Sequence, residues 1–415
     1  MEQQTKIGGR ITVIDALRGF ALLGVVLVHM QQHYSIFNFG MFAPTEPLFP
    51  ELDSFIGDFT RNVLMGRFIN IFAFLFGLSF FIQMDRASAK GIDFRRRFVW
   101  RMVILFVIGV IGSAFYSGDI LSIYAVFGLI LVLLYPLKNK VLMLIACLIL
   151  LGAPRWISVG YDKLTAPAVE MVNESAPQGA SQAPRAPQRQ FNFSEPKAPS
   201  FVDSVKSNLT EGRSRTLDYQ FGLGGRGYLT FAMFILGLVV GRIRFFETVH
   251  LHRRRNLLLF VGFAVATWLV GKLSDLFPQE QPMFFMQGTP SNVMLVRLAL
   301  NDIGMVLFSA AITMGFVVLY HVRGIGRCLN VMSPYGRMGL TNYEMQGIVG
   351  SILFSLWGLG EIFSPLHATE LFAFGVAVYV VQIIISKLWL KYFKYGPLEW
   401  LWRSATYLKH QPFRK

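Results

Sequence analysis

Two residues of the first apolar segment, Arg18 and His29, combine residue types and a spacing suited to chemistry. They are eleven positions apart, close to three turns of an α-helix, so both side chains face the same way. The rise of a helix separates them by roughly 16 Å along its axis. A charged and a titratable residue inside an apolar helix are costly in lipid and indicate a function. The pattern predicts an anion-binding cation at one end of the helix and a general base at the other.

Structural interpretations of the same residues stay open. Asp15 lies three positions before Arg18, so an ion pair on one helix face would offset the cost of both charges. Snorkelling would also place Arg18 at the headgroups, and His29 would be an interfacial histidine bonded to a carbonyl. Asp119 opens another apolar segment after Gly118, where it is expected to cap the helix. At a depth similar to that of His29, the same carboxylate would orient the imidazole and raise its basicity.

A second group of candidates consists of polar residues within the other apolar segments. Glu344 lies about two helical turns into its segment and shares a face with Arg337. A structural salt bridge between them and a substrate or proton path are both open interpretations. For several others, pairing between helices is the expected role. The group comprises Arg67, Asn70, Tyr124, Arg297, Arg337, Asn342 and Glu344.

The composition places these residues in a membrane protein. Of 415 residues, 53% are hydrophobic and 15% are charged, against about 25% charged in soluble domains. The sequence predicts an all-α polytopic protein with about ten transmembrane helices in a lipid bilayer. The predicted spans are residues 12–33, 63–84, 96–115, 119–136, 140–153, 227–244, 256–275, 296–320, 336–357 and 369–391.

The charge distribution predicts the orientation of these spans. The formal net charge is +15, and the basic residues cluster in the loops after the second, fourth, sixth and eighth spans and in the C-terminal tail. This alternation places both termini in the cytoplasm. It also explains the positive charge without a nucleic-acid partner. No cluster of metal ligands with useful spacing occurs, so we expect no metal.

Four regions are predicted along the chain. Within the long external loop, Ala176 to Gln190 is of low complexity and predicted to be disordered, whereas 199–217 is predicted to form an amphipathic helix. The glycine-rich string Gly222 to Gly227 follows no strand, so it is not a nucleotide fingerprint and is predicted to lead flexibly into the sixth span. The regions are an N-terminal transmembrane half (1–153), the external loop (154–226), a C-terminal transmembrane half (227–395) and a cytoplasmic amphipathic tail (396–415).

Four motifs resemble those of a bacterial family, the YeiB-like proteins, whose C-terminal half is classed as domain of unknown function 418. The resemblance covers essentially the whole chain outside the external loop. It implies a multi-pass protein of the bacterial cytoplasmic (inner) membrane, in a family sometimes described as transporters. The motifs are Asp15-Ala-Leu-Arg18-Gly-Phe, Gly118-Asp119-Ile-Leu with Tyr124, Gly336-Arg337-Met with Thr341-Asn342-Tyr343, and Tyr395-Gly-Pro-Leu-Glu-Trp-Leu-Trp-Arg403.

The first helix is more distantly similar to the transmembrane acyltransferases, which include the acyltransferase type 3 family and the lysosomal heparan acetyltransferase. The type 3 family carries an arginine, ten residues and a histidine on its first span, as Arg18 and His29 do. The resemblance implies transfer of an acyl group from cytoplasmic acyl-CoA, as a co-substrate, to an acceptor across the membrane. Many YeiB-like members carry asparagine at the position of His29, so this expectation concerns the present chain rather than the whole family.

The resulting hypothesis assigns roles to individual residues. Acyl-CoA phosphates would be drawn to Arg18 and to the basic cluster of the third span, while His29, oriented by Asp119, would deprotonate an envelope glycan or lipid acceptor. A transporter using Glu344, Arg337 and Arg297 is the alternative, and a non-catalytic scaffold is a further one. A homodimer is compatible with each. The basic cluster is Arg95, Arg96, Arg97 and Arg101.

Overall fold

The computed structural model of the protein describes residues 10–35, 46–165, 199–278 and 290–415. Within these ranges the chain is helical and forms no β-strand, which confirms the predicted all-α class. The helices are α1 (Thr12–Gln31), α2 (Pro50–Phe59), α3 (Arg67–Ser88), α4 (Arg95–Phe115), α5 (Leu121–Leu134), α6 (Asn139–Leu150), α7 (Ala153–Thr165), α8 (Phe201–Ser207), α9 (Arg213–Phe221), α10 (Gly227–Arg242), α11 (Phe245–Thr248), α12 (Arg253–Asp275), α13 (Asn292–Tyr320), α14 (Ile325–Asn330), α15 (Ser333–Arg337), α16 (Gly339–Phe354), α17 (Gly360–Phe363), α18 (Ala368–Tyr392) and α19 (Pro397–Tyr407).

A helix occupies each of the ten predicted spans, but not every helix is long enough to cross a bilayer by itself. Six helices of the described residues are long and apolar enough, and eight segments qualify if each of two bent pairs counts as one span. The bent pairs are α6 with α7, at 56°, and α10 with α11, at 52°. With 14 residues, α5 extends only about 21 Å, less than the roughly 30 Å of a hydrocarbon core.

The two halves of the chain meet where α3 packs against α10. Gly237 lies against Gly77, and one turn further along Gly241 lies against Phe81, so the two helices run parallel. A Cβ atom on Gly77 would collide with the carbonyl oxygen of Phe234. Such close backbone contact through small residues is typical of helices that pack within an apolar medium.

The first helix lies at the centre of the bundle, and most of its residues are buried. Its far end is bound by α18, since the Gln31 side chain donates to the carbonyl of Ala368 at 2.7 Å. Further along α18, the Tyr379 hydroxyl donates to the carbonyl of Gly19 at 2.9 Å, so α1 and α18 are antiparallel. This position encloses Arg18 and His29 within the helical bundle.

The predicted amphipathic helix over 199–217 is present as α8 and α9. It folds back over the ends of α4 and α5, where the Asn208 amide donates to the carbonyl of Ala114 at 3.0 Å. The Arg213 guanidinium donates to the carbonyl of Asp119 at 2.7 Å. This segment therefore contacts protein. The prediction of disorder for Ala176 to Gln190 lies outside the described residues.

The amphipathic tail forms α19, which packs against α4 and α16. The Trp402 indole donates to the carbonyl of Arg101 at 2.8 Å, and the Trp100 indole donates to that of Ala405 at 3.0 Å. Both indoles therefore pack against protein, because each of the two helices supplies an apolar surface and a hydrogen-bond acceptor to the other.

Candidate functional site

Two cavities lie back to back inside the bundle. The His29 cavity, of about 110 Å³, is lined by His29, Tyr116 and Arg226 among others. The Arg18 cavity, of about 270 Å³, is lined by Arg18, Arg101 and Arg337 among others. Two tyrosines, Tyr124 and Tyr343, line both cavities and form the aromatic wall between them. Arg18 and His29 thus face separate spaces on opposite sides of this wall.

The imidazole of His29 is surrounded by tyrosine rings. Its ring centre lies 5.0 Å from that of Tyr116, 5.3 Å from that of Tyr34 and 6.5 Å from that of Tyr343. Its two nitrogens have no hydrogen-bond or ion-pair partner among the residues that the structure describes. His29 is therefore not bonded to a carbonyl, whereas the structural interpretation of the sequence predicts such a bond. The imidazole can therefore exchange a proton with a ligand in the cavity.

Asp119 caps the start of α5, as predicted. Its Oδ1 atom accepts a hydrogen bond from the backbone N–H of Leu121 at 2.9 Å, and the residue is 3% exposed. No hydrogen bond or ion pair joins it to His29 in the described part of the chain. Tyr343 lies near both residues, because its hydroxyl accepts a hydrogen bond from the backbone N–H of Ile120, next to Asp119, at 3.3 Å, while its ring faces His29.

Arg18 is fixed by contacts to three elements. Its guanidinium donates to Asp15 of α1 at 3.3 Å, to Ser79 of α3 at 2.9 Å and to the carbonyl of Gly336 in α15 at 3.3 Å. The predicted ion pair with Asp15 is therefore present, and Arg10 shares the same carboxylate. The hydrogen bonds set the orientation of Arg18, whose side chain still lines the cavity.

Only one member of the predicted basic cluster lines the cavity with Arg18. Arg101 does so while its guanidinium lies 3.5 Å from the ring centre of Trp402. Arg95 forms an exposed ion pair with Asp93 at 2.9 Å. The remaining two, Arg96 and Arg97, are exposed at the start of α4.

Glu399, in the tail helix, lines the Arg18 cavity. Sequence spacing alone does not indicate this role. Its carboxylate accepts hydrogen bonds from the backbone N–H of Leu340 at 2.7 Å and from the Thr341 hydroxyl at 2.6 Å, at the start of α16. Burial raises the pKa of the Glu399 carboxyl, against the opposing effect of the Thr341 hydrogen bonds. A carboxylate at a helix N-terminus is favourable, which explains why α19 binds here.

We expect Glu399→Ala to destabilise the protein by about 1–3 kcal/mol, because it leaves the N–H of Leu340 without its partner. Glu399→Gln, which keeps an acceptor oxygen, should cost less. Since the pKa of Glu399 is raised on folding, its contribution to stability should fall as the pH rises above the ordinary carboxyl range. Thermal denaturation at several pH values checks both points. Equal losses for Ala and Gln would contradict this role.

The salt bridge between Arg337 and Glu344 is not formed, so that interpretation is wrong. The helix breaks at Met338, which separates α15 from α16 and removes Arg337 from the face that carries Glu344. The carboxyl of Glu344 lies instead against Gly112 of α4. Arg337 lines the Arg18 cavity, whereas Glu344 lines neither of the two cavities.

The other predicted residues lie in structural contacts within or between helices. Asn70 is buried, and the Tyr124 hydroxyl lies 3.5 Å from the carbonyl of Ile69. The side chains of the rest donate to fixed partners: Arg67 to the carbonyls of Arg61 and Met65, Arg297 to that of Phe277, and Asn342 to the carbonyl of Tyr335 and the hydroxyl of Ser386.

A buried ion pair joins the bent fifth segment to the eighth. Arg155 of α7 donates to Asp302 of α13 at 2.5 Å and to the carbonyl of Gly225 at 3.1 Å. The sequence assigns Arg155 to the external loop, so it offers no signal for this pair. The contact fixes α7 and the residues before α10 beside the His29 cavity.

Comparisons with known proteins match a family of unknown function. Residues 240–409 match a family described as "Protein of unknown function (DUF418)". The chain is 29% identical to the uncharacterized protein YxaH of Bacillus subtilis (strain 168), over 100% of this chain and 98% of the relative. It is 26% identical to the uncharacterized protein YeiB of Escherichia coli (strain K12), over 96% of each chain. No solved structure matches.

Proposed function

We propose, from the premise that this chain belongs to the YeiB-like DUF418 family, that it is a transmembrane acyltransferase. It would transfer an acyl group from cytoplasmic acyl-CoA to a hydroxyl or amine of a cell-envelope acceptor outside. The observation that carries this proposal is the pair of cavities that share Tyr124 and Tyr343. They hold the cation and the base of one helix on opposite sides of a single aromatic wall.

Ten spans with both termini in the cytoplasm, in a bacterial inner membrane, are part of the proposal. If ten spans cross the membrane in alternating directions, the second and sixth spans run parallel to each other. The first and tenth spans then run antiparallel to each other. The pairs α3 with α10 and α1 with α18 have these directions. The tail helix α19 packs near the start of α4, and its Glu399 lines the same cavity as Arg18 in the first half of α1. The basic loops assign this end to the cytoplasm.

The Arg18 cavity suits the thioester end of acyl-CoA. Its volume of about 270 Å³ accommodates the acyl group and part of the pantetheine arm rather than the nucleotide. Guanidinium groups bind phosphate oxygens with two parallel hydrogen bonds. The CoA phosphates would therefore lie toward Arg18 and Arg101, and the nucleotide would lie further out near the exposed Arg95, Arg96 and Arg97.

The His29 cavity suits activation of the acceptor. Because Tyr124 and Tyr343 separate the two cavities, the reaction requires these side chains to move aside so that the cavities connect. A nitrogen of His29 would then take the proton from the acceptor hydroxyl, while the hydroxyl oxygen attacks the thioester carbonyl carbon. The carbon–sulfur bond breaks, and the CoA thiolate leaves and takes up the proton that the imidazolium of His29 releases. Tyr343 would lie in the wall beside the reacting atoms, and the backbone N–H of Ile120, next to Asp119, positions its hydroxyl. The cavities favour this function over transport through Glu344, which lines neither of them.

We expect Arg18→Gln to weaken acetyl-CoA binding by about tenfold or more, because a hydrogen bond to a charged group contributes about 1.5–3 kcal/mol. Titration calorimetry on the purified full chain in detergent measures this affinity. Lys140→Gln is the matched control, since Lys140 is an exposed cation in the first turn of α6 and does not line the Arg18 cavity. Absence of acetyl-CoA binding by the unaltered protein would favour the scaffold or transport alternatives.

A further inference from the structure

We propose that the His29 cavity binds an anionic group, a phosphate or a carboxylate, through Arg226, and that the acceptor of the acyl group is therefore an anionic molecule. The identification of the bound molecule as an acceptor rests on the proposed function. The anion site does not, because it follows from the residues of this cavity alone.

The charge balance of the cavity supports this site. Arg226 and His29 line it together, and among the residues that the structure describes no aspartate or glutamate lines it. Within the described ranges, no hydrogen bond or ion pair engages the Arg226 guanidinium. The nearby carboxylate of Asp302 is already bonded to Arg155 at 2.5 Å. A half-buried guanidinium without a protein anion favours an anionic ligand.

The backbone gives the Arg226 side chain a defined place. It lies against Gly66, whose φ of +80° is in the left-handed region that glycine adopts readily. A Cβ atom at this position would lie 2.8 Å from the Arg226 guanidinium carbon, so a side chain there would displace it. The glycine-rich string before α10 thus ends in a positioned cation rather than serving only as a flexible connection.

The other polar residues of the cavity suit a small headgroup. Gln32, Gln220 and Thr230 line it and supply neutral donors and acceptors for hydroxyls next to the anion. Its volume of about 110 Å³ is several times the roughly 10–15 Å³ that one water requires. It therefore accommodates a phosphate with an adjacent hydroxyl group, with any longer chain extending outside.

The test measures binding of sn-glycerol 3-phosphate to the full chain in phosphatidylcholine nanodiscs, with neutral glycerol as the comparison. We expect binding of the phosphate only, weakened about tenfold or more in Arg226→Gln and largely retained in Arg226→Lys. Arg215→Gln is the matched control, because Arg215 is an exposed arginine of α9 that pairs with Glu211. A repeat in phosphatidylglycerol nanodiscs distinguishes the sources. Loss of binding there indicates competition by a lipid headgroup, and unchanged binding indicates a soluble phosphate.

Equal binding of glycerol, or equal losses in Arg226→Gln and Arg215→Gln, would overturn the proposal. If Arg226→Gln does not fold, amide hydrogen exchange of the unaltered protein, with and without sn-glycerol 3-phosphate, is an independent measurement. The phosphate should slow the exchange of residues 219–230. Unchanged exchange of these residues would also overturn the proposal. If the protein binds the phosphate through Arg226 but does not bind acetyl-CoA, the proposed acyltransferase function is contradicted and the proposed anion site is supported.

Discussion

His29→Ala is expected to lower acyl transfer by about 100- to 10,000-fold, the range that a general base contributes. In the described part of the chain, no other histidine lines the His29 cavity to replace it. Inverted vesicles expose the cytoplasmic face, so the measurement is transfer of radiolabel from acetyl-CoA into the envelope fraction. Binding of acetyl-CoA should remain, because the Arg18 cavity lies beyond the Tyr124–Tyr343 wall.

His33→Asn is the matched control for this experiment. His33 lies one turn after His29 and does not line the cavity. Its ring centre lies 5.0 Å from that of Phe354. Its φ of 50° is tolerated by asparagine, so the substitution keeps the backbone conformation. Transfer by His33→Asn should stay near that of the unaltered protein. Transfer by His29→Ala at the unaltered rate would remove His29 from the mechanism.

The largest expected loss of stability follows Arg155→Met. Arg155 and Asp302 are both buried, so removal of the guanidinium leaves a carboxylate without its counter-charge. Breaking such a pair costs about 3–5 kcal/mol, because the remaining charge stays buried without the attraction that offsets its desolvation. Thermal denaturation of the purified protein in detergent, followed by circular dichroism, would show a marked fall in the midpoint.

Two variants test whether burial causes this loss. Arg215→Met breaks an exposed pair with Glu211 and should change stability by about 0–1 kcal/mol. The double variant Arg155→Met with Asp302→Leu removes both charges and should recover much of the single-variant loss. If Arg155→Met is no more harmful than Arg215→Met, the buried pair does not contribute to stability as described.

Local features of the chain could be predicted from the sequence. Hydropathy locates the apolar helices because each extends over many residues of one character. The Asp15–Arg18 pair and the Asp119 cap join positions only three and two residues apart, so sequence spacing alone indicates them. The family resemblance was also visible in short motifs, and the match over residues 240–409 confirms it.

Long-range contacts could not be predicted in this way. Arg155 and Asp302 are 147 positions apart, and neither periodicity nor charge pattern relates them. The contact of Glu399 with Thr341 depends on how the tail packs. The break at Met338 is different, because Pro334, Gly336 and Gly339 surround it and indicate an interrupted helix. Helical spacing does not continue through this break, so the predicted Arg337–Glu344 pair is wrong.

The glycine contact between α3 and α10 has a consequence for the study of motion. A Cβ on Gly77 would collide with the carbonyl of Phe234, and one on Gly237 with that of Phe74, so the backbones touch without intervening side chains. Two helices in such contact cannot slide past each other and move as one body. Spin labels on their exposed ends should therefore keep a constant distance with any ligand. This constant distance is a reference against which displacements of α1 and α16, beside the aromatic wall, can be measured.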